Sequence, residues 1–239
     1  MIVDLFIPCH VDQFRPEIAR NTMKVLQRVG CGVNYNIEQT CCGQPAYEDG
    51  FRDHCKEVGE KLIKEFQDER FIVCPGPGCV KTVRDYYPAL FHNSSLHNEY
   101  KLVQKHFYEF GDFLANKMNV SEIGAQHAAK VWVLNSCNCK SDTSDQALMS
   151  LLSKVKGLTI TGSAADNQCC GMGGGLDRRN EELTVKMAVE MIRQAEKTGA
   201  DTIVSNDPLC LLHLEGVIWK EGATMQVMHL ADVLASGWE

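Results

Sequence analysis

Short apolar runs alternate with longer stretches of helical period along this chain. Ile2 to Ile7 is the first such run, and it ends just ahead of Cys9. Behind it, Ile18, Thr22, Val25, Leu26 and Val29 recur at intervals of three and four, the stripe of a helix with one buried face. A second short strand is expected near Gly32 to Ile37, and Cys55, Val58, Leu62 and Phe66 mark a second helix. Phe71 to Val73 predicts a third strand, stopped by Pro75-Gly76-Pro77-Gly78, which cannot continue a strand. Further along, Leu183, Met187, Ala188, Met191, Ile192 and Ala195 predict a helix, and Thr202 to Val204 a strand. Such alternation predicts an α/β fold with parallel sheets flanked by helices.

The chain is also written twice. Thirty-one residues separate Cys9 from Cys41-Cys42-Gly43, and thirty-one separate Cys137 from Cys169-Cys170-Gly171. Cys79 then follows Cys42 after thirty-six residues, and Cys210 follows Cys170 after thirty-nine. Ile72-Val73 precedes Cys79 at the distance at which Ile203-Val204 precedes Cys210. Each half closes on a related segment, Phe110-Gly111-Asp112-Phe113-Leu114-Ala115 and Leu230-Ala231-Asp232-Val233-Leu234-Ala235. Internal duplication is therefore expected, with two similar βαβ-type halves at 1–120 and 129–239 related by a pseudo-two-fold. The polar stretch 116–128 is the expected connection.

Charge removes some classes of function. The net charge is −7 and the longest basic run is Arg178-Arg179, so nothing attracts a nucleic-acid backbone. No apolar run reaches the length of a membrane span, and the first residues lack the basic lead of an export signal. Any membrane association has to come through a partner. A cytoplasmic location is expected, and there twelve cysteines point to metal or redox chemistry rather than disulfides.

Cys9, Cys41, Cys42 and Cys79 all fall just beyond expected strand ends, as do Cys137, Cys169, Cys170 and Cys210. Open α/β sheets collect ligands at that edge. Four thiolates per half suit an iron–sulfur cluster or a zinc ion. Zinc sites more often take close C-x-x-C pairs from compact knuckles. Adjacent cysteines reach more naturally to different irons of one cluster, and Gly43 and Gly171 allow the backbone to turn closely and offer N–H groups to sulfide. Cys74 and Cys139 each lie close enough to supply a fifth thiolate, yet neither is duplicated. Cys31 and Cys55 read as core thiols, and His10, His213 and His229 as ordinary hydrogen-bonded histidines. The run Gly171-Met172-Gly173-Gly174-Gly175 fails the dinucleotide fingerprint at Leu176, and no Gly-Lys-Ser/Thr follows it, so it reads as a tight wrap around a site.

Pro8-Cys9-His10-Val11-Asp12, Cys41-Cys42-Gly43-Gln44-Pro45, Cys169-Cys170-Gly171-Met172-Gly173-Gly174 and Cys210-Leu211-Leu212-His213-Leu214 together resemble the cysteine-rich (CCG) domain family over essentially the whole chain. The resemblance implies an iron–sulfur electron-transfer subunit of a multi-subunit oxidoreductase. It implies flavoprotein or iron–sulfur partners, and lactate or a similar 2-hydroxy acid as the compound oxidised. It equally admits a relative of the disulfide-cleaving component of heterodisulfide reductase, in which five cysteines hold a non-cubane [4Fe-4S] cluster that acts on a disulfide or a sulfur-carrier thiol. The five-cysteine pattern ends in C-x-x-C, where this chain has Gly76 and Asp207 at the first position. Zinc, in one repeat or as the centre of a purely structural protein, is the third reading.

Overall fold

The computed structural model describes residues 1–120, 122–138, 142–165 and 168–238, with the backbone alone for 142–145. Among the described residues, eight strands form two sheets. The first sheet holds β1 (Ile2–Leu5), β2 (Gly32–Tyr35), β3 (Phe71–Cys74) and β4 (Phe107–Glu109), in the order β2-β1-β3-β4. The second holds β5 (Gln126–Leu134), β6 (Lys156–Ser163), β7 (Thr202–Ser205) and β8 (Gln226–His229), in the order β6-β5-β7-β8. Every pairing is parallel. Both sheets thus repeat one topology and carry flanking helices, which makes the molecule an α/β fold of two like halves.

The expected periodicities become real faces. Helix Pro16–Arg28 buries Ile18, Thr22, Val25 and Leu26, with Pro16 in its first turn where a missing N–H costs nothing. Helix Arg52–Glu65 buries Cys55, Gly59, Leu62 and Ile63. Helix Glu181–Lys197 buries Thr184, Ala188, Met191, Ile192 and Ala195, and Asn180 caps it by accepting from the Leu183 N–H. Leu183 departs from the expected stripe and stands 42% exposed. Thr184 takes the inward position instead, because the backbone of Gly171 presses on that turn.

Four of the described strands are not named from the apolar pattern: β5 and β6, implied only by the repeat that sets Cys137 and Cys169 just beyond strand ends, and β4 and β8. β4 and β8 are short edge strands, paired at Cys74↔Glu109 and Ser205↔His229, and each runs straight into a helical turn. The connection between halves is shorter than 116–128: a helical turn continues to Lys117, and β5 already pairs with β6 at Gln126↔Lys156, ahead of a bulge.

Among the described residues, three apolar cores hold the layers. One, packed around Phe6, Leu62, Phe66, Tyr87, Phe91, Tyr100 and Phe107, belongs to the first half. Another, with Trp132, Met191, Ile192, Ile203 and Leu214, belongs to the second. The largest is shared: Val3, Leu5, Val25, Leu26 and Phe113 meet Val131, Val133, Leu148, Leu152, Leu230 and Val233. Packing across it is crosswise. Helix Pro16–Arg28 lies on helix Leu230–Leu234, where Asn21 Nδ2 donates to Asp232 Oδ1 at 2.8 Å, and segment 110–117 lies on helix Asp142–Leu152. Among the described residues no helix is long and apolar enough to cross a membrane.

A shared core ties the halves into one folding unit. Leu230→Ala, at a fully buried position packed towards Gly111, is expected to cost about 2–5 kcal/mol. Fluorescence and circular dichroism should then report a single urea transition moved to lower denaturant. Two separated transitions would contradict a common core.

Candidate metal centre

Each half delivers its repeated thiols to one edge of its sheet, because all four strands are parallel and end there. The order β2-β1-β3-β4 places the chain reversal between β1 and β3, so the loop after β1 and the loop after β3 diverge and leave a crevice. Cys9 opens the short helix that follows β1, and Cys79 lies in the helix Pro77–Lys81 that follows β3. Gln39 fastens the Cys-Cys-Gly loop to the end of β1: the Ile7 N–H donates to its Oε1 at 2.6 Å, and its Nε2 donates to the Leu5 carbonyl at 3.2 Å.

The two halves then reproduce one arrangement. Cys9 Sγ lies 3.7 Å from Cys41 Sγ, and Cys137 Sγ lies 3.9 Å from Cys169 Sγ. The Gly43 N–H donates to Cys41 Sγ at 3.3 Å, and the Gly171 N–H to Cys169 Sγ at 3.3 Å. Cys42 interacts onward with Cys79, and Cys170 with Cys210. Each set is therefore a row of four sulfurs running from the surface into a private core, where Cys42, Cys79, Cys170 and Cys210 are buried. All cysteines among the described residues are free thiols. Among the same residues, no three His, Cys, Asp or Glu side chains are grouped to hold a single metal ion.

Protons are shared unevenly along each row. Hydrogen bonds from Cys42 and Cys9, and from the Gly43 N–H, hold the Cys41 thiol far below its usual range. Those from Cys137 and Cys170, and from the Gly171 N–H, do the same for Cys169. Their donors, Cys9 with Cys42 and Cys137 with Cys170, are pushed up by making those bonds. Cys41 and Cys169 are thus the thiols whose surroundings most favour the charged form in each row, and metal binding would displace the protons of the others.

Both motif glycines are dictated by space as well as by conformation. Gly43 has φ +86° and Gly171 φ +95°. A Cβ on Gly43 would meet Cys55 Sγ at 2.9 Å, and one on Gly171 would meet Thr184 Cα at 2.9 Å. Cys55 and Thr184 thus occupy the same place beneath the two loops, and burial pushes the Cys55 thiol up to about 11. Cys31 is buried in the shared core, apart from both rows. Cys74 is wholly buried beside Cys79, with its thiol donating to the Gly76 carbonyl at 3.4 Å. Cys139 lies outside the described residues.

The histidines keep backbone partners where they have them. His213 Nε2 meets the Thr184 carbonyl at 3.2 Å, while His229 donates from Nε2 to the Asn206 carbonyl at 3.1 Å and accepts at Nδ1 from the Ala231 N–H at 3.1 Å. His10 Nε2 is buried without a hydrogen-bond partner among the described residues. The glycine-rich run binds across the boundary: the Gly174 N–H donates to Glu48 Oε2 at 3.0 Å, and Arg178 pairs with Asp49 at 2.7 Å. Further residues act here that periodicity did not single out. Gln39 ties the loop to β1, and the Tyr87 hydroxyl donates to the Cys42 carbonyl at 3.1 Å. Glu109 stands opposite Cys74 in the ladder. The Ser136 hydroxyl donates to Asp207 Oδ2 at 2.5 Å. Of these, only Asp207 had a signal, its alignment with Gly76 in the repeat.

Two outcomes follow. Gly43→Ala and Gly171→Ala combine a left-handed φ with a steric contact and should each cost about 2–3 kcal/mol. Gly30→Ala, at φ +85° with nothing within 4 Å of the added methyl, should cost only about 1 kcal/mol. Equal losses in urea titrations would refute the steric account. Glu109 is fully buried, and burial pushes its carboxyl from 4.5 up to about 7. A raised carboxyl favours folding below about pH 4.5 and loses that advantage as pH climbs through 7, by on the order of 3 kcal/mol. Glu109→Gln should therefore gain stability relative to the parent between pH 5 and pH 8, and a difference that does not vary with pH would contradict this.

The cysteine-rich domain (CCG) matches the chain twice, over residues 3–84 and 131–215. Lactate utilization protein A of Halalkalibacterium halodurans is 34% identical over 235 residues, covering 98% of this chain and 96% of that protein. Lactate utilization protein A of Bacillus subtilis is 33% identical over 238 residues, covering 99% and 100%. Among solved structures, a hypothetical protein from Helicobacter pylori superposes with a TM-score of 0.63 at 12% identity, a likeness of fold alone. It covers 100% of this chain, which spans 49% of that one. Duplicated thiol rows, a doubled domain match and full-length relatives agree: the chain belongs to the cysteine-rich (CCG) domain family.

Proposed function

We propose that this chain is an iron–sulfur electron-transfer subunit of a multi-subunit oxidoreductase that oxidises lactate or a similar 2-hydroxy acid. The observation that carries the reading is the doubled row of four sulfurs, each with a backbone N–H 3.3 Å from its second thiol. A row in which neighbouring thiols point to successive positions suits a multi-iron cluster better than one tetrahedral zinc ion. Cys9, Cys41, Cys42 and Cys79 would hold one four-iron cluster, and Cys137, Cys169, Cys170 and Cys210 another, on repeats at 1–120 and 129–239. Such a group supplies one-electron storage. The chain supplies a dry inner wall at Cys42, Cys79, Cys170 and Cys210, and an outer edge at the exposed Cys9 where a redox partner can approach.

The names of the full-length relatives support lactate as the compound consumed. Oxidising a 2-hydroxy acid removes two electrons and suits a flavin, so the reading places a flavoprotein, or a further iron–sulfur protein that receives electrons, beside this subunit in the cytoplasm. No nucleic acid is expected as a partner, in keeping with a net charge of −7. A second reading has one observation in its favour. Cys74 touches Cys79 inside the first row, which gives that half a fifth thiol of the kind a disulfide-cleaving, non-cubane cluster takes.

Anaerobically purified protein is expected to be brown, with about one four-iron cluster per half and matching acid-labile sulfide. Cys42→Ser and Cys170→Ser should each lose most of the iron of their own half. Cys55→Ser should keep all of it and cost about 1 kcal/mol in packing. A colourless, zinc-containing protein after anaerobic reconstitution would defeat the reading, and disulfide reduction by the isolated chain would shift it to the second one.

A further inference from the structure

The two thiol rows are built alike, but the residues that flank them are not. Ladder register and spacing make Pro8 of the first half equivalent to Ser136 of the second, Cys74 to Ser205, and Gly76 to Asp207. In the first half a Cβ on Gly76 would lie 2.7 Å from Pro8 Cγ, so the proline ring fills the space a side chain would need. In the second half the smaller Ser136 leaves that space, and Asp207 fills it with a hydroxyl–carboxylate hydrogen bond of 2.5 Å. A ring against a bare backbone has been exchanged for a hydroxyl against a carboxylate, at the same point of the same loop pair.

The carboxylate is well held there. Asp207 is 3% exposed. Its Oδ1 accepts from the Leu209 N–H at 3.1 Å, and its Oδ2 also accepts from Asn138 Nδ2 at 3.4 Å. It lies near enough to act electrostatically on Cys137 and Cys210 and, across the boundary, on His10. The groups of opposite charge nearby offset it little. Burial holds the His229 ring towards the neutral form, and Lys81, which acts on Cys137 electrostatically from the first half, is committed to Asp85 at 2.6 Å. Glu109 is the comparable carboxyl of the first half. Burial keeps it partly protonated near neutral pH, and it acts on the unrepeated Cys74.

We infer that Asp207 is a positioning residue that makes the two sites electrically unequal, so that the cluster on Cys137, Cys169, Cys170 and Cys210 has the lower reduction potential. This rests on the iron–sulfur reading above. The potential of such a group follows net charge, hydrogen bonds to sulfur and exposure. The backbone donors cancel in the comparison, at 3.3 Å in both halves. Exposure differs at one position only, Cys9 being exposed where Cys137 is half-buried, while the other three thiols of each row fall in matching classes. A fixed negative charge in a poorly polarisable interior opposes the arrival of an electron. An electron shared between the sites therefore rests on the set of Cys9, Cys41, Cys42 and Cys79.

The test is a redox titration of the anaerobically reconstituted full chain, followed by electron paramagnetic resonance. In Asp207→Asn the lower of the two potentials should rise by at least a tenfold change in its reduction constant, 59 mV for one electron, with iron content unchanged and the upper potential unmoved. The double variant Pro8→Ser/Gly76→Asp carries the pair into the first half and should lower the upper potential instead. Unmoved potentials in an iron-loaded Asp207→Asn protein overturn the inference while leaving the cluster reading intact. Loss of iron from that variant also overturns it, by making Asp207 part of what holds the group. A parent protein that binds no iron removes both.

Discussion

Parallel pairing is the constraint on which the molecule rests. Four strands running in one direction must all end at one edge of their sheet, and every connection must cross back over a face to start the next strand. Thiols separated by dozens of residues therefore meet beyond β1, β2 and β3, and beyond β5, β6 and β7. Crossover helices bury the sheet faces, and the order β2-β1-β3-β4 opens a crevice at the point where the connections diverge. Had the sheets been antiparallel, alternate strand ends would lie at opposite edges and no such row could form.

Close approach then does the local work. Each Cys-Cys-Gly loop lies so tightly on the helix that follows it that a single methyl group has no place, at Cys55 in one half and Thr184 in the other. That contact orients the second thiol of each row to receive a backbone N–H and the first to donate to it. The inner thiols sit among aromatic and aliphatic side chains, so their protons are hard to remove except by a bound metal. A redox group placed there would be shielded from water on one side and open to a partner on the other.

The shared core brings the two sites into each other's field. Because helix Pro16–Arg28 packs on helix Leu230–Leu234 and segment 110–117 on helix Asp142–Leu152, the thiol-bearing edges come together. Lys81 of one half then acts electrostatically on Cys137 of the other, as Asp207 does on His10, and Glu48 accepts from the glycine-rich loop. Duplication supplied two like sites, and the exchange of Pro8 and Gly76 for Ser136 and Asp207 made their surroundings different. On the proposed reading, two one-electron stations of unequal potential would suit a carrier better than two identical ones, since the difference would give electron flow a direction.

Much of this was already legible in the chain. Spacing of Cys9, Cys41-Cys42-Gly43 and Cys79 against Cys137, Cys169-Cys170-Gly171 and Cys210 determined the duplication, because short-range patterns survive in sequence whatever the packing. Helical stripes such as Ile18, Thr22, Val25 and Leu26 determined which faces are buried. β4 and β8 escaped notice because each runs straight into a helical turn, so its apolar residues are continuous with that turn and the strand is defined by its pairing with β3 or β7. Leu183 was misplaced because the pressure of Gly171 on Thr184 comes from a loop that periodicity cannot see. The bond between Ser136 and Asp207 (Asp207 itself being marked in sequence only by its alignment with Gly76), the rise of the Glu109 carboxyl and the crosswise shared core were decided by tertiary structure. Each depends on the register of strands distant in the chain, and burial has an electrostatic consequence only once those strands have met.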